Sequence, residues 1–315
     1  MTDDIQLIAV DIDGTLLDSS GAIPTAHRDA LAEAHTRGIQ IALATGRALH
    51  FARPVVDRLG LPVALIVNNG ALARTPDGHT TLRRVVDREV ARAVLEAGGG
   101  FEDSVALLFD RDDDRQLVFE HMDWSHPNRA GYYARNRAFM SQGSLDAALR
   151  LPGEGRPARD VHGGHTLVAT VPSDEAPGCD PDDAPIQVMF NGSVAAMRRL
   201  AADLRGLAIA ERFTVAITEY EARDFALVDV NGPGCSKGST LERYADRCGI
   251  AREHVMAVGD NLNDLEMLEF AGWPVVMGNA SDDIKRRGFP VVPSHDDGGL
   301  AVAIERFVLG RPAAG

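Results

Sequence analysis

Two carboxylates stand two residues apart in Asp11-Ile12-Asp13-Gly14-Thr15, directly after the apolar run Ile5 to Val10. Such a pair repels by roughly 4 kcal/mol at ~4 Å and an effective dielectric of ~20. A hard cation such as Mg²⁺ removes that repulsion and can also carry a phosphate oxygen. An Asp-Gly pair alone is an ordinary turn, but three more polar clusters follow apolar runs in the same way and a fourth opens a helix. Thr45-Gly46-Arg47 follows Ile39 to Ala44, and Asn68-Asn69-Gly70 follows Val63 to Val67. Gly259-Asp260-Asn261-Leu262-Asn263-Asp264 follows Val255 to Val258, and Ser236-Lys237-Gly238 opens a helical pattern. A hydroxyl, a glycine amide and a helix start form a phosphate cradle. Lys237 stands against the helix macrodipole, which points to an anion beside it.

The elements that must position these groups are short buried strands. Ile5 to Val10 is apolar at every position but one, the pattern of a parallel strand covered on both faces. A helix from Pro24 to Gly38 separates it from Ile39 to Ala44, and Val63 to Val67 is a third such run. Strand, helix, strand, helix, strand predicts a doubly wound, Rossmann-like parallel sheet, which binds ligands at its carboxyl edge. After about residue 82 the rhythm changes. Glu89 to Ala97 reads as a helix, Val105 to Phe109 and Gln116 to Glu120 as a hairpin with an acidic tip at 110–114. Thr166 to Val171, Ile186 to Phe190, Phe213 to Thr218 and Phe225 to Val230 read as strands, and Ser193 to Leu204 as a helix. Residues 83–230 therefore read as an inserted α+β domain with an antiparallel sheet, and 1–82 with 231–315 as a discontinuous α/β core. In the second core segment a helix from Lys237 ends at Gly249, Val275 to Met277 and Val291-Val292 read as strands, and Leu300 to Leu309 closes the chain as a helix.

Composition narrows the function classes. With 315 residues, 45% hydrophobic and 25% charged, the chain suits a globular protein of two domains. A net charge of −14 argues against nucleic acid and anionic membranes as partners. No apolar run reaches the ~20 residues that span a bilayer, and MTDDIQ lacks a basic leader. Cys179, Cys235 and Cys248 lack zinc spacing, so reduced thiols in a cytoplasm are expected. His162 and His165 have no ligand partners at suitable spacing, and 110–114 lacks the glycine and closing Glu of a calcium loop.

Taken in order, DIDGTL, ATGR, SKG and GDNLND resemble the motifs of the haloacid dehalogenase superfamily of phosphohydrolases. KGSTL, the large insert and the tail AGWPVVMGNA are similar to its Cof-type sugar phosphatase branch, although Trp273 and Pro274 replace its usual small residues. The resemblance implies a cytoplasmic, Mg²⁺-dependent phosphatase for small phosphorylated metabolites, chiefly sugar phosphates, acting through an aspartyl-phosphate. It implies Asp11 as nucleophile, Asp13 as general acid and base, and Lys237 as a catalytic cation. Metal would be held by Asp11, the Asp13 carbonyl and Asp260, with Asp264 behind them. Thr45, Gly46, Arg47, Asn69 and Asn263 would bind phosphate or substrate, and the insert would be a cap. A sugar phosphomutase and a non-catalytic sugar-phosphate sensor stay open, as do a monomer and a small homo-oligomer.

Overall fold

The computed structural model describes residues 5–111, 115–150 and 184–311. In chain order its strands are β1 (Leu7–Val10), β2 (Gln40–Ala44), β3 (Ala64–Val67), β4 (Leu72–Arg74), β5 (Thr80–Arg83), β6 (Val105–Leu108), β7 (Leu117–Phe119), β8 (Met140–Gln142), β9 (Gln187–Gly192), β10 (Thr214–Tyr220), β11 (Phe225–Asn231), β12 (Val255–Gly259) and β13 (Trp273–Val276). They form a seven-stranded sheet, β13-β12-β1-β2-β3-β4-β5, and a six-stranded sheet, β10-β11-β9-β6-β7-β8. The first is the parallel α/β sheet that the alternation of runs predicts, parallel from β13 to β3.

Burial on both faces explains why β1 is apolar throughout. Leu7 and Ala9 join one core cluster, with Leu241 and Met267, while Ile8 and Val10 join another, with Leu31 and Ile304. Successive side chains of a strand point to opposite faces, so each helix layer takes every second residue. Each fully buried Leu, Ile or Val contributes roughly 1.5–3 kcal/mol. Ala9, Ala42, Ala44 and Ala257 line the face under the helix Lys237–Cys248, and such small side chains let that helix approach closely. Ser236 caps this helix, accepting from Ser239 N, and Gly249 ends it in the left-handed region at φ 68°.

The second sheet also presents two different faces. Val188 and Phe190 of β9 pack under the helices Arg88–Ala97 and Val194–Arg205 with Val94, Met197 and Leu204. Met189, on the opposite face, joins Leu108, Phe119 and Met140 toward the seven-stranded sheet, where Ala71 and Cys235 meet them.

Several expectations need correction. The second sheet is not wholly antiparallel, because β7 pairs with β8 in parallel. The hairpin β4–β5, unread in the sequence because its short strands lack a long apolar run, extends the first sheet in antiparallel fashion. Val291-Val292 forms only an isolated bridge to Val276. Asp110 is not a free hairpin tip, because Arg74 and Arg83 pair with it at 3.5 and 3.2 Å. His162, His165, Cys179, residues 112–114 and the strand expected at Thr166 to Val171 lie outside the described residues. Cys235 and Cys248 are free thiols, and among the described residues no helix is long and apolar enough to cross a membrane.

Candidate active site

β1 lies between β12 and β2, in register at Val10↔Val258 and Val10↔Leu43. From β1 the chain winds to β2 and β3 on one side and later to β12 and β13 on the other. That makes the carboxyl end of β1 the switch point at which open α/β sheets bind ligands. Asp11 extends β1, Thr45 extends β2, Asn68 extends β3 and Asp260 extends β12. One edge of one sheet thus collects the polar clusters.

Lys237 connects them. Its Nζ donates to Asp11 Oδ1 at 2.7 Å and to Asp264 Oδ1 at 2.6 Å, and its side chain is 1% exposed. Burial alone would lower its pKa, but Asp11 and Asp264 hold it above its usual value. Asp264 Oδ2 accepts from the amides of Asp260 and Asn261 at 3.0 and 2.9 Å, so both of its oxygens are committed. Asp260 accepts from Thr15 Oγ1 at 3.2 Å and from Asn279 Nδ2 at 3.0 Å, and Asn279 also donates to Gly14 O. Gly14 has φ 86°, and a Cβ there would collide with the Asp260 carboxylate. Gly238 is equally constrained, since its Cβ would meet the backbone of Glu266.

The donor set fits a hard cation. Asp11, Asp260 and Asp264 each place an oxygen within 4.8 Å of the others, with one lysine among three carboxylates. Burial pushes the Asp11 carboxyl up to about 7, against the pull of Lys237. Burial, then the charges of Asp11 and Asp264, hold Asp260 well above the carboxylate range. A divalent ion relieves such crowding. Asp11 and Asp260 are the side chains available to it, because Asp264 already serves Lys237 and two amides.

Asp13 stands apart from this cluster. Its two oxygens accept from Arg47 Nε and Nη2 at 2.7 and 2.6 Å, a bidentate pair at the mouth of the site. Thr45 is buried, and its Oγ1 accepts from Arg47 N at 3.1 Å. Gly46 sits against Asn69 and Asn263. Asn69 is buried in the left-handed region at φ 53°, donating from Nδ2 to Asp229 Oδ2 at 2.8 Å and accepting from Asn263 Nδ2 at 2.9 Å. Its side chain thus sits beside Gly46, held between Asp229 and Asn263.

A cavity of about 440 Å³ opens between the two sheets over this edge, lined by Asp11, Asp13, Thr45, Gly46, Arg47 and Asn263 on the core side. The insert side brings Trp124, Tyr132, Met189, Tyr220, Phe225 and Leu227. Asn261 Nδ2 donates to Glu219 O at 3.1 Å, which docks β10 onto the loop after β12. Burial, with Asp13 and Asp11 adding to it, raises the Tyr220 phenol and keeps it a proton donor. Thr15, Asn279, Tyr220 and Asp229 escaped the sequence reading. Asp229 had a readable signal, a lone charge inside the apolar run Phe225 to Val230. Tyr220 had none, since an aromatic in a strand is an ordinary packing residue.

A family model described as haloacid dehalogenase-like hydrolase matches residues 8–138 and 168–304. The chain is 28% identical to "Phosphatase YwpJ" of Bacillus subtilis (strain 168), over 94% of this chain and 98% of that protein. It is 30% identical to "HMP-PP phosphatase" of Cronobacter sakazakii (strain ATCC BAA-894), over 87% of this chain and 85% of that one. Among solved structures, a haloacid dehalogenase-like hydrolase from B. subtilis has the same fold, with a TM-score of 0.73 at 22% identity over 96% of this chain and 99% of that one.

Proposed function

The chain belongs to the haloacid dehalogenase-like hydrolase family, and on that footing we propose that it is a Mg²⁺-dependent phosphatase that hydrolyses small phosphomonoesters through an aspartyl-phosphate on Asp11. It is a phosphoric monoester hydrolase, as its relatives are named phosphatases over nearly their whole length. The observation that carries the finer reading is the bridge of Lys237 between Asp11 and Asp264, beside Asp260, at the switch point.

Asp11 offers its Oδ2 to phosphorus while Oδ1 is fixed by Lys237. Attack forms the Oδ2–P bond as the P–O bond to the leaving alcohol breaks, and water later cleaves the acyl phosphate. In this reading Thr45 and the Gly46 amide, from the cavity lining, and Lys237, from beside Asp11, donate to the transferring oxygens and stabilise their charge. Asp11, Asp260 and the Asp13 carbonyl would hold Mg²⁺, which would supply charge neutralisation for those oxygens. Asp13 protonates the leaving oxygen and then deprotonates water. Both Asp13 oxygens accept from Arg47 as the site stands, so this proton transfer requires the pair to part. An incoming phosphate is an anion that draws Arg47 away.

In this reading residues 1–82 and 231–315 form the catalytic core, and residues 83–230 form the cap that excludes water. The reaction needs no partner but a small phosphorylated metabolite and its metal. Inorganic phosphate release from a panel of phosphomonoesters, before and after exhaustive EDTA treatment, tests it. Activity should vanish with chelation, return with Mg²⁺, and return poorly with Ca²⁺, whose looser coordination misplaces the nucleophile. Undiminished turnover without metal overturns the metal assignment.

A further inference from the structure

Resting on the phosphatase reading, we propose that Asp229 selects the leaving group: it accepts a hydrogen bond from an amino or hydroxyl donor on a flat, largely apolar ring seated against the insert's aromatic wall. The insert face of the cavity is built from Met122, Trp124, Tyr132, Met189, Phe225 and Leu227. Several polar side chains on that face satisfy one another. Asn191 donates to Ser104 O at 2.8 Å and accepts from Arg129 Nε at 2.5 Å. Gln187 Oε1 accepts from Asn68 Nδ2 at 2.6 Å.

Asp229 is held through one oxygen only. It lines the cavity from β11 and is 2% exposed, with Oδ2 held by Asn69 Nδ2 at 2.8 Å. Its Oδ1 is buried with no hydrogen-bond partner among the described residues. A buried carboxyl oxygen without a partner is costly in a folded protein and calls for a donor from elsewhere. Burial pushes this carboxyl up to about 7, although the amides of Gln187 and Asn69 favour its charged form. Asn69 also ties Asp229 to the phosphate end, since its backbone N–H donates to Thr45 O at 3.1 Å and its side chain accepts from Asn263. The ring-binding wall and the phosphate cradle are thus one hydrogen-bonded unit.

Benzyl phosphate and its three ring-amino isomers test this, because their leaving alcohols have similar acidity and differ in the donor. For the wild-type protein with Mg²⁺, kcat/KM should be about tenfold higher for one amino isomer than for benzyl phosphate, the effect of one hydrogen bond to a charged group. Asp229→Asn turns an acceptor into a donor, so that ratio should fall to one or below. A merely structural Asp229 lowers both substrates alike and leaves the ratio unchanged, which overturns the proposal. Should Asp229→Asn not fold, the wild-type ratio decides, and equal kcat/KM for benzyl phosphate and all three isomers overturns it. Failure to hydrolyse any of the four, or a panel of other phosphomonoesters, instead overturns the phosphatase reading beneath it.

Discussion

The two walls of the cavity are built on opposite principles. The core wall is ionic: Lys237, Asp11 and Asp264 are buried together, and Lys237 Nζ and both Asp264 oxygens are bonded within 3.0 Å. The insert wall is apolar and aromatic, with one buried carboxyl, Asp229, left short of a partner. Chemistry on a phosphoryl group needs charges held in place before the substrate arrives, whereas selection among leaving groups needs shape and one or two polar points. On the proposed reading, the contrast assigns reactivity to the sheet edge and selectivity to the insert.

The largest break in that division should come from Asp11→Asn. The amide is nearly isosteric and can still accept from Lys237, so near-ultraviolet circular dichroism should be unchanged. Single-turnover phosphate release should fall by roughly 10⁴-fold or more for every substrate, since a member of a concerted catalytic unit is lost. Persistence of a phosphorylated protein in this variant would move the nucleophile elsewhere.

Asp13→Asn should cost ~10² to 10⁴ in rate with an alkyl phosphate and much less with an aryl phosphate, whose leaving group needs little protonation. Equal single-turnover defects with both would remove the acid role from Asp13 and leave the site as metal and nucleophile alone. This variant also unmakes the bidentate pair with Arg47, so its effect on KM reports how tightly that arginine is held.

On the insert side the effects should be smaller and of another kind. Leu227→Ala removes apolar surface from the cavity wall, and KM for aryl phosphates should rise by about 3- to 30-fold, more than kcat falls. A loss confined to kcat would place Leu227 with the chemistry and blur the comparison.

The smallest signal concerns pH. Burial raises the Asp229 carboxyl from 3.8 to about 7, so between those values the folded protein holds a proton that the unfolded chain releases. Its contribution to stability is therefore greatest below about pH 4, falls as pH rises toward about 7, and is level above. Unfolding free energies of Asp229→Asn and wild type from denaturant titrations, compared across this range, should diverge with a slope of at most about 1.4 kcal/mol per pH unit. Parallel curves would mean that Asp229 titrates as an ordinary exposed carboxyl.

Much of the first sheet was legible because buried parallel strands leave an unambiguous trace. Leu7–Val10, Gln40–Ala44 and Ala64–Val67 are apolar runs that end at polar clusters, and each strand lies within a residue or two of its run. The hairpin β4–β5 and the strand β8, which pairs in parallel with β7, were not legible, because strands of three or four residues carry no period long enough to read. Val291-Val292 misled for the converse reason, two apolar residues that tertiary packing leaves as a single bridge.

Sequence by itself determined the reactive inventory: which carboxylates, hydroxyl and lysine stand at strand ends and helix starts, since strand period and helix capping act over a few residues. Only the tertiary structure decided how they pair. Lys237 meets Asp11 across 226 positions of chain, Arg47 rather than solvent holds Asp13, and Asn279 closes over Asp260. It alone decided that Asp229 and the aromatic side chains of the insert face Thr45 and Asp11 across one cavity. Such encounters depend on how two sheets dock over the whole chain, and no local spacing records that.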